Sequence, residues 1–76
     1  MRARVTVMPK AGVLDPQGEA VARALVSEGF GVAGARQGKV IDLDLADGAT
    51  EADVLAMCER LLANAVIESW SVEMDP

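Results

Sequence analysis

Histidine and tyrosine are absent, cysteine occurs once, and the aromatic residues are Phe30 and Trp70 alone. Without histidine there is no ordinary His general base and no His metal ligand. A single cysteine, Cys58, cannot form a disulfide within the chain, a usage that fits a reducing cytoplasm. Basic residues are outnumbered, seven Lys and Arg against twelve Asp and Glu, for a net charge of -5. A nucleic-acid binder would show a basic face, so nucleic acid is not the expected partner. No stretch approaches the roughly 20 apolar residues of a membrane span, and the first nine residues hold no apolar run of signal-peptide length. No linker or low-complexity segment divides the 76 residues, so the expectation is one small domain over 1–76. Such a domain buries a limited core, and association with another chain is the remaining source of stability.

What is present reads as alternating strands and helices. In residues 2–8, Ala3, Val5 and Val7 share one face and Arg2, Arg4 and Thr6 the other, the pattern of a half-buried strand. Lys10 to Gly18 then turns the chain into a helix. Asp15 stands at the N-cap position and Pro16 at the first helical position, where its missing N–H leaves nothing unpaired. The helix is expected over 16–28, with Val21 and Leu25 as an i, i+4 pair beside Ala20 and Ala24. Gly29 fits a left-handed cap, with Phe30 able to pack back on Leu25. Gly18 is locally unfavourable in a first helical turn, which predicts close approach of another backbone.

Residues 31–46 read as strand, either one long strand bent near Gly38 or two strands meeting there. Asp47-Gly48 marks a turn, and Thr50 with Asp53 forms a variant capping box opening a second helix over 51–63. Val54, Met57, Cys58, Leu61 and Ala65 follow its apolar spacing, with Leu55 and Leu62 widening the face; Asn64 suits a left-handed end. Residues 66–74 form a last strand, Trp70, Val72 and Met74 on one side and Ser69, Ser71 and Glu73 on the other. The order β-α-β-β-α-β, with the middle strands allowed to be one, predicts an α+β domain. Its expected form is an antiparallel or mixed sheet with both helices on one face.

Chemical motifs are few. Gly29, Gly31 and Gly34 spell G-x-G-x-x-G, but a helix precedes and a strand follows, the reverse of a dinucleotide site. Gly38-Lys39 lacks the first glycine and the hydroxyl residue of a P-loop. Cys58 lies on an apolar helix face with no base to activate it, so it reads as core. Asp42 and Asp44 share a strand face; a solvated face is favoured over acid–base work or cation binding, with opposition to Arg2 or Arg4 on a neighbouring strand as a further option. Arg36 and Lys39 flank the Gly38 bend, either as edge charge or as partner contacts. Trp70 fits the core, with an interface anchor as the alternative.

Three stretches together resemble PurS, the small subunit of bacterial phosphoribosylformylglycinamidine synthase. They are Gly12-Val13-Leu14-Asp15-Pro16-Gln17-Gly18 with Ala20, then Val32 through Leu45 around Arg36-Gln37-Gly38-Lys39, and Met57 through Asn64 followed by Val66-Ile67-Glu68. They span nearly the whole chain. The departures are Ala65, where the family often has proline, and Trp70, where an aromatic such as tyrosine is common. The resemblance implies a PurS-like fold and a bridging subunit without catalytic, cofactor or metal residues of its own. It implies a homodimer or tetramer that joins a PurL-type synthetase subunit to a PurQ-type glutaminase subunit in the cytoplasm. The assembly converts formylglycinamide ribonucleotide to formylglycinamidine ribonucleotide in purine biosynthesis, using glutamine and, in the synthetase subunit, ATP with Mg. Asp15, Gly18, Arg36, Gly38 and Lys39 are the candidate interface residues. The alternative is a βαββαβ regulatory domain, ACT-like, that senses a small molecule.

Overall fold

The alternation of Ala3, Val5 and Val7 with charged neighbours places β1, Arg2–Pro9, at the centre of a three-stranded sheet in a computed structural model that describes residues 1–76. β2, Lys39–Asp44, and β3, Glu68–Met74, flank it in the order β2-β1-β3, both antiparallel to β1. Between them run α1, Pro16–Ser27, and α2, Glu51–Met57, which continues as a π-helical turn over Cys58–Leu62.

Ala3, Val5 and Val7 are fully buried beneath Val54 and Cys58, one turn apart on α2. Ile41, Leu43 and Leu45 on one side, and Trp70, Val72 and Met74 on the other, extend this core but stay half-exposed. The opposite face is polar. The register sets Arg4 against Asp42 and Arg2 against Asp44. Arg4 grips Asp42 with two bonds, Nε to Oδ1 at 2.8 Å and a terminal nitrogen to Oδ2 at 3.3 Å. The pairing holds the Asp42 carboxyl below its usual range, and Arg2 reaches Asp44 at 3.3 Å. These carboxylates are thus partners of the arginines on a solvated face, as the sequence favoured, and not a free acid–base pair.

Three local expectations are revised. Residues 31–46 contribute one ladder strand, beginning at Lys39; the glycines upstream carry no pairing. Leu61, expected on the core face of α2, is 84% exposed. The cause is the π turn, in which the Ala63 N–H donates to the Cys58 carbonyl and one extra residue rotates Leu61 outward and Leu62 inward. Asn64 does not take the left-handed conformation. Its side-chain oxygen instead accepts from the Val66 N–H at 3.0 Å, an Asx turn leading into β3.

α1 stands apart from the sheet. It makes at most marginal contact with the strands, and Val21 and Val26 are exposed. The sheet therefore carries α2 on its inner face, while residues 10–38 form an arm running past the sheet end where β1 stops and β2 starts. The molecule measures 50 × 25 × 13 Å with a radius of gyration of 15.5 Å. A compact chain of this length would have a radius of about 11 Å.

Candidate subunit interface: a clasp in the arm

The arm is built from the two runs that the sequence singled out, and one side chain ties them together. Asp15 caps α1, its Oδ1 accepting from the Gly18 N–H at 3.0 Å. Its Oδ2 accepts from the Gln37 N–H at 2.8 Å, across 22 positions of sequence. The Gln37 amide donates to Gln17 Oε1 at 2.9 Å, a second tie between the same two runs. Both backbone N–H groups favour the ionised carboxylate, Gln37 more than Gly18, and Arg36 nearby adds to the effect. Asp15 therefore ionises below the usual carboxylate range.

The path between the runs is short. α1 ends in a Schellman cap: the Phe30 N–H donates to the Leu25 carbonyl and the Gly29 N–H to that of Val26, both at 3.0 Å, with Gly29 at φ +92°. Phe30, 62% exposed, covers little of the helix. From Gly29 the chain returns to Ala35, beside Gly18. The return is not straight: the Val32 N–H donates to the Phe30 carbonyl at 3.1 Å, and the chain bends at Ala33. It runs along the α1 face made by Gly18, Ala22 and Leu25, the less exposed side of the helix.

The candidate residues fall into two groups. Asp15, Gly18 and Arg36 meet in the clasp. A Cβ at Gly18 would lie 2.6 Å from the Ala35 carbonyl oxygen and closer still to the Asp15 carboxylate, so the backbone approach expected at this glycine is made by the chain itself. Arg36 is exposed and lines a cavity of about 600 Å³ with Lys10, Asp15 and Glu19. Gly38 and Lys39 lie at the sheet end. A Cβ at Gly38 would run into the Val7 carbonyl oxygen and the Met8 sulfur, and Lys39, exposed, opens β2 opposite Val7. Gln17, Gln37 and Lys10 were not singled out. Lys10 Nζ donates to the Ala65 carbonyl at 2.7 Å, joining the base of the arm to the turn before β3. The presence of Gln17 and Gln37 inside the two specific runs was the only sequence signal for the second tie.

The family model for PurS, phosphoribosylformylglycinamidine (FGAM) synthase, matches residues 2–76. This chain belongs to the PurS family. It is 44% identical over 72 residues to the PurS subunit of Mycobacterium leprae, covering 93% of this chain and 91% of that one. The crystal structure of Bacillus subtilis PurS superposes with a TM-score of 0.81 at 44% identity, over 95% of this chain and 94% of that one. A chain of the Thermotoga maritima PurLQS structure gives a TM-score of 0.80 at 33% identity, over 95% and 93%. PurS chains are subunits of a ligase, phosphoribosylformylglycinamidine synthase, and PurS is its non-catalytic component. Family membership replaces the metabolite-sensor alternative. The clasp joins the two most specific runs of the PurS resemblance within one chain.

Proposed function

We propose that this chain is the bridging subunit of a phosphoribosylformylglycinamidine synthase. It acts as a homodimer that joins a PurL-type synthetase to a PurQ-type glutaminase in the cytoplasm. ATP and Mg belong to the synthetase subunit, and this chain binds neither. The observation that carries the reading is full-length membership of the PurS family together with the likeness to a chain of the Thermotoga PurLQS structure. The arm supports it: Arg36 and Lys39 are exposed charges near its base, suited to partner contacts. No helix is long and apolar enough to cross a membrane. The test is reconstitution with PurL-type and PurQ-type subunits, glutamine, ATP, Mg and formylglycinamide ribonucleotide. Glutamine-dependent synthesis should require this chain, whereas ammonia-dependent synthesis by the PurL-type subunit should not. Unchanged glutamine-dependent synthesis on omission would refute the proposal.

A further inference from the structure

We infer that the outer edge of β3 is a docking strip for an extended segment of another protein, one that alternates apolar residues with lysine or arginine and adds to the sheet as a fourth strand. This surface goes beyond the bridging reading and does not depend on it. The first observation is the parity of the ladder. The Lys10 N–H donates to the Ile67 carbonyl and the Asp75 N–H to the Arg2 carbonyl, at the two ends of the pairing between β1 and β3. Bonded and non-bonded pairs alternate along an antiparallel ladder, so Ser69, Ser71 and Glu73 are the β3 residues that bond to β1. Trp70, Val72 and Met74 turn their N–H and C=O groups outward, where no other group of the chain meets them. Glu68 bounds this free stretch, its N–H held by the Asn64 carbonyl at 2.7 Å. A free edge is a template for another strand unless lysine, proline or a bulge blunts it. β3 has none of the three, and its register with β1 is unbroken over Glu68–Met74.

The two faces and the charge of the strip define what it takes. On the inner face Trp70, Val72 and Met74 are half-buried against the core, so apolar side chains of an added strand would continue their row. On the outer face Ser69, Ser71 and Glu73 are exposed. Every charge along the strip is negative: Glu68 and Glu73 within β3, and Asp75 just past it. Arg4 stands opposite Glu73 in the register, but its guanidinium is engaged by both oxygens of Asp42. A cavity of about 290 Å³ lined by Lys10, Ala65, Glu68, Ser69 and Trp70 opens at the head of the strip and gives room for a side chain there. Lys10 adds no free cation to it, since its ammonium is bonded to the Ala65 carbonyl at 2.7 Å. Charge therefore selects the occupant. Opposite charges facing each other across neighbouring strands are stabilising and like charges destabilising. A second copy of β3 would bring three more carboxylates beside these three, whereas lysine or arginine on the outer face of the added strand would meet Glu73. The backbone ladder supplies the affinity of such an addition and the side-chain alternation its specificity.

Trp70 is the only tryptophan, so its emission reports on the strip. The probe is a short peptide alternating lysine and valine, capped at both ends, with a glutamate–valine peptide as its counterpart. At low salt the lysine peptide should shift the Trp70 emission and bind at least about 10-fold more tightly than the glutamate peptide, the difference shrinking as salt rises. It should slow amide exchange at Trp70, Val72 and Met74 and leave Ser69, Ser71 and Glu73, already bonded to β1, unchanged. Val72→Pro removes an N–H that makes no bond within the chain and should abolish binding with far-UV circular dichroism unchanged. Glu73→Lys, at an exposed side chain, should erase the preference for lysine and decides the matter if the proline variant fails to fold. Equal binding of the two peptides, binding of neither, a folded Val72→Pro chain that binds like the original, or exchange at 70, 72 and 74 that ignores the lysine peptide would each overturn the inference. So would exchange there that slows with chain concentration alone, which would assign the strip to a second copy of this chain.

Discussion

Replacing Gly18 with alanine sets two physical effects against each other, and the structure decides the sign. By helix propensity alone, alanine in place of glycine inside a helix gains about 1 kcal/mol. Here the new methyl would lie 2.6 Å from the Ala35 carbonyl oxygen and closer to the Asp15 carboxylate. Neither atom can retreat freely. Asp15 is held by the N–H groups of Gly18 and Gln37, and Ala35 lies two residues before that anchored Gln37. Forcing an extra carbon into a tight contact costs about 1–3 kcal/mol, and here it also loosens the helix cap. Gly18→Ala should therefore lower stability by about 1–2 kcal/mol net. With a urea slope of about 1 kcal/mol/M for a small domain, the midpoint should fall by roughly 1 M or more. The comparison must be made at one chain concentration, because self-association adds to apparent stability. Gly34→Ala is the control: no atom lies within 4 Å of its Cβ position, and its effect should stay within about 0.5 kcal/mol. A Gly18→Ala chain as stable as the original, or more so, would refute the close approach of the two runs.

The Asp15 clasp should weaken in acid. Its carboxyl ionises at a lower pH in the folded chain than in the unfolded one, so its stabilisation is present above the unfolded value, about 3.9, and is lost as pH falls through the folded value. The amide resonances of Gly18 and Gln37 should titrate together below pH 3.9, and Asp15→Asn should flatten the acid limb of the stability curve; a midpoint at or above 3.9 would contradict the clasp. Thr50→Ala removes the acceptor for the Asp53 N–H in the capping box and should cost about 1 kcal/mol in denaturant titrations. Cys58 is fully buried and its thiol is pushed up by burial, so a thiol reagent should label it only as fast as the chain opens. Rapid labelling of the native chain would show that α2 does not seal this residue.

Much of the local structure was legible because it depends on neighbours in sequence. The alternation in residues 2–8 and 68–74 selects a face, Asp15-Pro16 starts a helix, and Thr50 with Asp53 caps another. Each rests on backbone groups one to four residues away, and each took its expected form. The Gly29 cap was equally local. The family was legible for a different reason, the joint occurrence of the Leu-Asp-Pro-Gln-Gly and Arg-Gln-Gly-Lys runs in one short chain.

Other features depended on distance. The helical spacing that placed Leu61 in the core assumed 3.6 residues per turn, and the π turn over Cys58–Leu62 rotated it to the surface. The glycines at 31, 34 and 38 left the middle segment undecided. Tertiary contact settled it, with the Gln37 N–H held by Asp15 and Gly38 set against Val7, so that the ladder begins at Lys39. The sequence by itself determined the elements, the buried face of each strand and the family, since periodicity and caps are short-range. Only the tertiary structure decided where α1 goes. An amphipathic helix records that it has an apolar side, not which surface covers it. Here the return segment, tied through Asp15 and Gln37, occupies the middle of that side and turns the helix into an arm.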